Sequence, residues 1–227
     1  MFEPDMSHPM EAENQSLLIE GAKAFGIGLD RKTVHAFSLY LDELVRWNRK
    51  INLTAVRTEK SIILKHFLDS LSPCPYLPAS GRVLDIGSGA GFPGIPIKIV
   101  RPSLQMTLID SVHKKVAFQR HILRTLGLQG AEAVHGRAQD PAIQESLSCR
   151  FDAAISRALS DTETFLSLSH PFLRPGGLAL AMKGVVTDHE VDHVRKMMKK
   201  HYEHRRTLPF LLPFSSFKRT ILLFEKR

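Results

Sequence analysis

The stretch VLDIGSGAGFPG, residues 83–94, decides the fold. It joins an apolar strand to an acid and then to glycines at Gly87, Gly89 and Gly91. A turn of this kind lets the backbone approach a nucleotide-like ligand at the carboxyl end of a strand. The dinucleotide fingerprint G-x-G-x-x-G would need its third glycine at position 92, where this chain has Phe92. The spacing therefore argues against NAD.

A second acid, Asp110, closes the next apolar strand of the sequence. An ionised carboxylate at that position can accept hydrogen bonds from both hydroxyls of a ribose. A D-x-G-x-G-x-G turn followed by such an acid resembles the cofactor loop of S-adenosylmethionine (SAM) methyltransferases. A tight strand-to-helix turn without a ligand is the alternative, but strand, glycines and distal acid together favour a nucleotide cofactor.

The residues before the glycine loop have a helical pattern. Apolar side chains recur every three or four positions between Val34 and Val45, which predicts a helix with Asp30 as its N-cap. The same spacing from Ile63 to Leu71 predicts a second helix that ends before Pro73. Residues 1–80 are therefore predicted to form an N-terminal tail and a helical cap.

From residue 81 to residue 227 the pattern is that of an α/β domain. Strands that alternate with helical stretches imply right-handed crossovers and a parallel sheet. Two final apolar runs predict a hairpin that adds antiparallel strands at one edge. We therefore expect a Rossmann-like SAM-methyltransferase sheet, mostly parallel, with an antiparallel C-terminal hairpin. The predicted strands are residues 83–86, 106–110, 131–135, 151–156 and 178–183, followed by the hairpin strands 207–214 and 217–224.

The chain is basic, with 31 Lys and Arg against 23 Asp and Glu, a net charge of +8. Basic clusters at residues 46–50, 114–115, 196–206 and 218–219 predict a phosphate-facing surface for nucleic acid, with solvated helix faces as the alternative. Apolar runs fall short of the ~20 residues that span a bilayer, and the polar first 15 residues lack a secretion signal. We therefore expect a cytoplasmic protein that does not enter a membrane.

Metal chemistry is not indicated. Cys74 and Cys149 lie far apart without C-x-x-C spacing, so the sequence predicts neither a zinc site nor a disulfide framework. Residues 189–193 read HEVDH, a literal H-E-x-x-H that could indicate a zinc hydrolase. However, Val191, Val194 and Met198 form the apolar stripe of that helix, so both histidines are expected to face solvent.

Five motifs together carry a resemblance to one family. In chain order they are WNRKINLTAVR (47–57), KHFLDSL (65–71), GSGAGFPGIPIKI (87–99), ISRAL (155–159) and AMKG (181–184). The chain resembles the RsmG/GidB family of bacterial SAM-dependent methyltransferases, which act on nitrogen-7 of a guanine in the 530 loop of 16S ribosomal RNA. The resemblance implies SAM as cofactor and 16S ribosomal RNA, or a small-subunit precursor, as partner. No feature indicates an oligomer, so we expect a monomer.

The resemblance and the glycine loop together suggest the cofactor contacts. Gln139 stands where relatives commonly carry an acid, so its contact on the adenine side stays open, although its backbone could serve. For the Phe92 ring, packing in the core is the alternative to ligand contact. The residues assigned to the cofactor are Gly87, Gly89, Phe92, Asp110, Ala138, Gln139 and Arg157.

Guanine nitrogen-7 carries a lone pair and no proton, so its methylation needs no base, and we assign no catalytic residue. Arg157, Arg137 and Lys183 could each instead form a structural salt bridge, and His66 could be a structural histidine. The positioning candidates are Arg157, Lys183, Asn52 and His66. The candidates for RNA contact are Arg46, Arg49, Lys50, Arg57, Lys65, Arg137 and Lys183.

Competing functions remain open at this point. The sequence after the fourth strand lacks the Asn- or Asp-Pro-Pro-aromatic motif of amino-group methyltransferases. Pro73-Cys74 precedes the glycine loop, unlike the Pro-Cys nucleophile of pyrimidine carbon-5 enzymes. The alternatives are a SAM methyltransferase for another RNA or a small molecule, and a non-catalytic RNA-binding module.

Overall fold

The computed structural model describes residues 10–157 and 161–227 of the chain. Residues 1–9 of the predicted tail, and Ala158 and Leu159 of the ISRAL motif, lie outside the described residues. The helices are α1 (Ala12–Lys23), α2 (Arg31–Asn48), α3 (Glu59–Ile62), α4 (Asp69–Leu71), α5 (Gly94–Val100), α6 (His113–Thr125), α7 (Pro141–Leu147), α8 (Thr162–Ser169) and α9 (Asp188–Met198). The strands are β1 (Gly81–Ile86), β2 (Leu104–Asp110), β3 (Ala131–His135), β4 (Phe151–Ser156), β5 (Leu173–Lys183), β6 (Tyr202–Leu211) and β7 (Lys218–Lys226).

Both predicted N-terminal helices are present. Asp30 caps α2, and its side chain accepts a hydrogen bond from the backbone N–H of Thr33. The second helix runs without a break from α3 through a π-helical segment, Ile63–Leu68, into α4, and it ends before Pro73. The π-helical segment is a departure from the predicted regular helix. Such insertions are frequent at functional sites.

The sheet confirms the predicted topology. Its strand order is β3-β2-β1-β4-β5-β7-β6, with β1 to β5 parallel, β7 antiparallel to β5, and β6 antiparallel to β7. The predicted bounds of β3 and β4 match, β1 and β2 each begin two residues earlier, and β5 begins five residues earlier than predicted. β6 spans Tyr202–Leu211 rather than residues 207–214. Most of its side chains are exposed, so this edge strand carries little apolar signal.

The strand directions define two opposite edges of the sheet. The carboxyl edge is formed by the carboxyl ends of β1 to β5. The β6–β7 turn lies at the same edge, because Thr220 of β7 pairs with Lys183 at the end of β5. Tyr202, at the start of β6, pairs with Lys226 and therefore lies at the opposite edge.

The two faces of the sheet bury separate hydrophobic clusters. One cluster contains Phe37 and Phe67 of the N-terminal helices together with Ile95 of α5 and Phe118 of α6. The other includes residues of α8 and α9, such as Phe165. The N-terminal helices thus share a core with the sheet, and the division into a cap (1–80) and a methyltransferase domain (81–227) stays a prediction. Within the described residues, no helix is long and apolar enough to cross a membrane.

Candidate functional site

The glycine loop needs glycine for two different physical reasons. Gly89 and Gly91 have φ angles of +59° and +93°, a left-handed conformation that side chains disfavour. A Cβ at Gly91 would lie 2.9 Å from the Tyr40 hydroxyl. A Cβ at Gly89 would meet no atom within 4 Å, so the loop leaves open space beside its backbone. That space suits the close approach of a ligand.

Asp110 ties this loop to the end of β2. Its Oδ2 atom accepts a hydrogen bond from the N–H of Gly89 at 2.8 Å, and its Oδ1 atom accepts one from the N–H of Val112 at 2.8 Å. Each carboxylate oxygen can accept a second hydrogen bond. The geometry is therefore compatible with the predicted ribose contact, but it also gives Asp110 a structural task that the sequence did not reveal.

A cleft of about 260 Å³ opens at the carboxyl edge between the ends of β1, β2 and β3. It brings together four residues assigned to the cofactor, namely Gly87, Asp110, Ala138 and Gln139. Arg137, assigned to RNA, lines the same cleft and is exposed. Crevices at the carboxyl ends of parallel strands are where α/β folds bind ligands.

The Phe92 ring lies away from this cleft, in the hydrophobic core, where it is 4% exposed. It stacks on His66 with ring centroids 4.6 Å apart and on Tyr40 at 5.4 Å. The Arg157 guanidinium lies 5.1 Å from the ring centroid. The structure therefore places the side chain as core packing, and a cofactor contact by Phe92 stays a prediction.

Arg157 follows β4 and is anchored to the N-terminal helices. It donates hydrogen bonds to the carbonyl oxygen of Lys65 at 2.8 Å and to Nδ1 of His66 at 3.0 Å, and it pairs with Oδ2 of Asp69 at 3.4 Å. Burial lowers the pKa of Arg157, while the carboxylates of Asp69 and Asp85 raise it. A guanidinium nonetheless stays charged. Arg157 therefore forms a structural salt bridge, which is the alternative to a ligand contact given in the sequence analysis.

His66 is a neutral histidine with both ring nitrogens engaged. Because Nδ1 accepts from Arg157, Nε2 donates to Oγ1 of Thr54 at 2.7 Å. Burial and then the Arg157 charge lower the pKa of His66 to about 3. This side chain therefore holds neighbouring groups in place and has no free nitrogen to act as a base.

The loop between α2 and α3 carries several predicted RNA contacts. Asn48 fixes this loop by accepting from the N–H groups of Leu53 and Thr54 and donating to the Thr54 carbonyl oxygen. Thr54 in turn joins the loop to His66, at the carboxyl edge. The exposed predicted residues on this loop are Arg49, Lys50, Asn52 and Arg57.

The other predicted cations differ in their surroundings. Arg46 is exposed and pairs with Glu43 one helical turn away. Lys65 lies over the Phe217 ring, with Nζ 4.7 Å from its centroid. Lys183 ends β5, where burial lowers its pKa and the nearby carboxylates of Asp161 and Glu190 raise it.

The basic segment 196–206 lies elsewhere. It spans the end of α9 and the start of β6, at the edge of the sheet opposite the cleft. This segment therefore lies on a different surface from the clusters at 46–50 and 218–219. His189 and His193 of the HEVDH segment are both exposed, as predicted, while Val191 is buried. Among residues 10–157 and 161–227, no group of three potential metal ligands comes together.

Three buried polar residues support the site and were not assigned to it from the sequence, although Asp85 is the acid of the glycine motif. Gln119 donates to Oγ of Ser88 and to the carbonyl oxygen of Gly89, which fixes the glycine loop. Asp85 accepts from the N–H of Gly94, and burial raises its pKa to about 7. Asp69 pairs with Arg157 and with Arg219. Each is a polar residue at a helix or strand position that turns out to be buried. The spacing of residues alone does not show whether such a position is buried or exposed.

Comparison with known proteins decides the family. Residues 33–216 match the family model described as rRNA small subunit methyltransferase G. The chain belongs to the rRNA small subunit methyltransferase G family. Ribosomal RNA small subunit methyltransferase G of Geobacter metallireducens is 42% identical over 219 residues, covering 96% of this chain and 99% of that protein. The protein of that name from Acetivibrio thermocellus is 39% identical over 218 residues, covering 95% and 90%.

Solved structures agree on the fold of this family member. P. horikoshii TYW2 in complex with MeSAdo aligns with a TM-score of 0.57 at 10% identity, covering 71% of this chain and 62% of that one. M. jannaschii TYW2 in complex with AdoMet aligns with a TM-score of 0.54 at 12% identity, covering 70% and 75%. The predicted methyltransferase fold is confirmed.

Proposed function

We propose that this family member transfers a methyl group from SAM to nitrogen-7 of a guanine in the 530 loop of 16S ribosomal RNA. The observation that carries the proposal is the cleft at the carboxyl edge, where the glycine loop and Asp110 adjoin the residues that follow β3. Membership of the family supports the reaction class and ribosomal RNA as the substrate class. The chemistry is assigned to this same cleft.

The residues at this cleft fit SAM. The open space beside Gly89 accommodates the methionine portion of the cofactor, and the free acceptor sites of Asp110 suit the ribose hydroxyls. Ala138 and Gln139 line the cleft after β3 and are assigned to the adenine side. When bound there, SAM supplies an electrophilic methyl group on a sulfonium.

The chain's own residues act by positioning rather than by moving protons. Guanine nitrogen-7 presents a free lone pair, so the reaction requires no base. His66 is neutral with both nitrogens engaged, and Arg157 is committed to Asp69 and to backbone, which agrees with that requirement. Orientation of two reactants can contribute about 7–11 kcal/mol to rate acceleration.

The charges around the site limit where cations can help. Positive charge appears on the purine as the methyl group moves, so a cation aimed at nitrogen-7 would oppose the reaction. Arg137 and Lys183 are therefore assigned to phosphate or to guanine oxygen-6, for which such donors are suited. Arg157 is not assigned to phosphate or to guanine oxygen-6, because Asp69 and the Phe92 ring face its guanidinium.

RNA binding is assigned to the carboxyl edge. The exposed α2–α3 loop with Arg49, Lys50, Asn52 and Arg57 is held beside His66, and Lys65 lies on the next helix. Arg46 lies one turn before this loop. Cations grouped around a ligand cleft attract a phosphate backbone.

SAM binding tests the cofactor site, with Asp110→Ala as the variant and Asp192→Ala, an exposed acid on α9, as the matched control. Loss of a charged acceptor costs on the order of 1.5–3 kcal/mol, so Asp110→Ala should weaken SAM binding about tenfold or more in calorimetry. The control should bind SAM like the wild type. Equal affinity in all three proteins would remove the cofactor assignment.

RNA methylation separates the rival functions. A protein that binds SAM and methylates only a small molecule or another RNA would replace the proposed substrate. A protein that binds RNA but not SAM would be the non-catalytic module. Transfer of label from SAM to the 530 loop supports the proposal over both.

A further inference from the structure

The turn between β6 and β7 is an ordered projection at the carboxyl edge. We define the hairpin tip as residues 212–217. The N–H of Leu212 donates to the carbonyl oxygen of Phe217 at 2.9 Å, and Oγ of Ser215 donates to the carbonyl oxygen of Leu212 at 2.8 Å. The tip therefore has a defined conformation and stands beside the end of β5.

Phe214 is presented to solvent from this tip. Its side chain is 63% exposed, and its φ angle of +57° places the backbone in the left-handed region. Glycine or asparagine adopts that conformation more readily than an aromatic residue does. In the described part of the chain, the Phe214 ring has no ring or cation contact. The fold itself therefore gains little from an aromatic side chain at this position.

Three cations surround the tip. Lys65 and Arg219 lie over the Phe217 ring, at 4.7 Å and 5.7 Å from its centroid, and Lys218 is exposed next to them. Arg219 is held in place because its Nε atom pairs with Oδ1 of Asp69 at 3.0 Å. Among the described residues, neither Lys65 nor Lys218 forms an ion pair.

One carboxylate links the start of β7, next to the tip, with the residue that follows β4. Asp69 binds Arg219 with one oxygen and Arg157 with the other, and Arg157 follows β4 at the carboxyl edge. The exposed ring of Phe214 and the neighbouring cations thus lie at the same carboxyl edge of the sheet as Arg157 and the cleft. An aromatic face combined with unpaired cations is the usual means of holding single-stranded nucleic acid.

We propose that the hairpin tip binds an unpaired nucleotide of the substrate RNA near the target guanine. The base stacks on Phe214, and the adjoining phosphates contact Lys65 and Lys218. This assignment rests on the proposed function, since it takes the substrate to be RNA with exposed bases. The cations favour RNA over a protein surface, because Lys65 and Arg219 gather on the Phe217 ring of the same tip that exposes Phe214.

The test compares Phe214→Asn with Leu211→Thr. Asparagine suits the left-handed backbone, so the variant should remain folded. Leu211 is 60% exposed on the same hairpin, in β6, and it serves as the matched control for loss of exposed apolar surface. The affinity for 16S ribosomal RNA is measured by filter binding at fixed salt, SAM affinity by calorimetry, and methylation by single turnover at saturating RNA.

We expect Phe214→Asn to weaken RNA binding roughly 5- to 150-fold, the range that follows from the loss of one stacked base. SAM affinity and the saturating rate should be unchanged, Leu211→Thr should bind RNA like the wild type, and Phe214→Trp should restore binding. Unchanged RNA affinity in Phe214→Asn, or an equal loss in Leu211→Thr, would overturn the inference. A loss seen on small subunits but not on free RNA would assign the tip to a ribosomal protein and would also overturn it. Failure of the proposed function is distinct, because the wild type itself would then leave the RNA unmethylated.

Discussion

Asp69→Asn tests the network that holds Arg157 in place. The Asp69 carboxylate is 3% exposed and has two cationic partners, Arg219 at 3.0 Å and Arg157 at 3.4 Å. Asparagine keeps the size of the side chain and one acceptor oxygen, but it removes the negative charge. Arg157 would then remain half-buried without a carboxylate in contact.

Asp69→Asn should lower the free energy of unfolding by much more than the loss of a surface ion pair does. Breaking a buried ion pair by removing one partner costs about 3–5 kcal/mol, and the retained acceptor oxygen places Asp69→Asn near the lower end, at about 3 kcal/mol. Glu203→Gln makes the same change of charge in the exposed pair with Arg205, where Glu203 is 46% exposed. A pair of that kind contributes about 0–1 kcal/mol.

Urea unfolding at pH 7 measures both losses as changes in the free energy of unfolding. Because salt screens exposed charges far more than buried ones, raising the salt concentration should shrink the Glu203→Gln effect and leave the Asp69→Asn effect nearly unchanged. An Asp69→Asn loss below about 1 kcal/mol, or one that salt abolishes, would refute the view that this carboxylate anchors Arg157.

Three further predictions concern titration and RNA binding. Burial raises the pKa of Asp85 from 3.8 to about 7, so the wild type should lose stability relative to Asp85→Asn as the pH rises through that interval. Urea unfolding at several pH values measures this difference, and a constant difference would contradict the prediction. Because the pKa of His66 is lowered from 6.5 to about 3, the wild type should lose stability relative to His66→Asn as the pH falls through that interval; an NMR titration that finds His66 protonating near pH 6.5 would disprove the assignment. Lys50→Gln should reduce the log–log salt slope of RNA binding by about 1, whereas Lys199→Gln, at the opposite edge of the sheet, should not change it; equal slopes for the two variants would argue against the assigned surface.

Much of the fold could be predicted because its signals are local. The glycine spacing, the caps and the alternation of strands with helices each depend on a few neighbouring residues, as at Asp30 and Gly89. The antiparallel hairpin was also predicted, but β6 was misplaced. Its first half carries Glu203, Arg205 and Arg206, which an exposed edge strand tolerates and a pattern of apolar residues cannot reveal.

The site was predicted less completely because its support is made by distant residues. Asp69 and Arg219 are 150 positions apart, and Gln119 reaches the glycine loop from a different helix. The Phe92 ring points into the core because α2 and the π-helical segment supply Tyr40 and His66 as stacking partners. No local pattern specifies such pairs, since they depend on how the helices pack on the sheet.

The most direct test of the central claim is to map the methylated nucleotide. The purified protein is incubated with labelled SAM and with 16S ribosomal RNA, or small subunits, from a strain that lacks the corresponding gene. We predict label on one guanine of the 530 loop, recovered as 7-methylguanosine, and loss of that label with Asp110→Ala at limiting SAM. Label at another atom or another nucleotide, or on no RNA at all while SAM is bound, would contradict it.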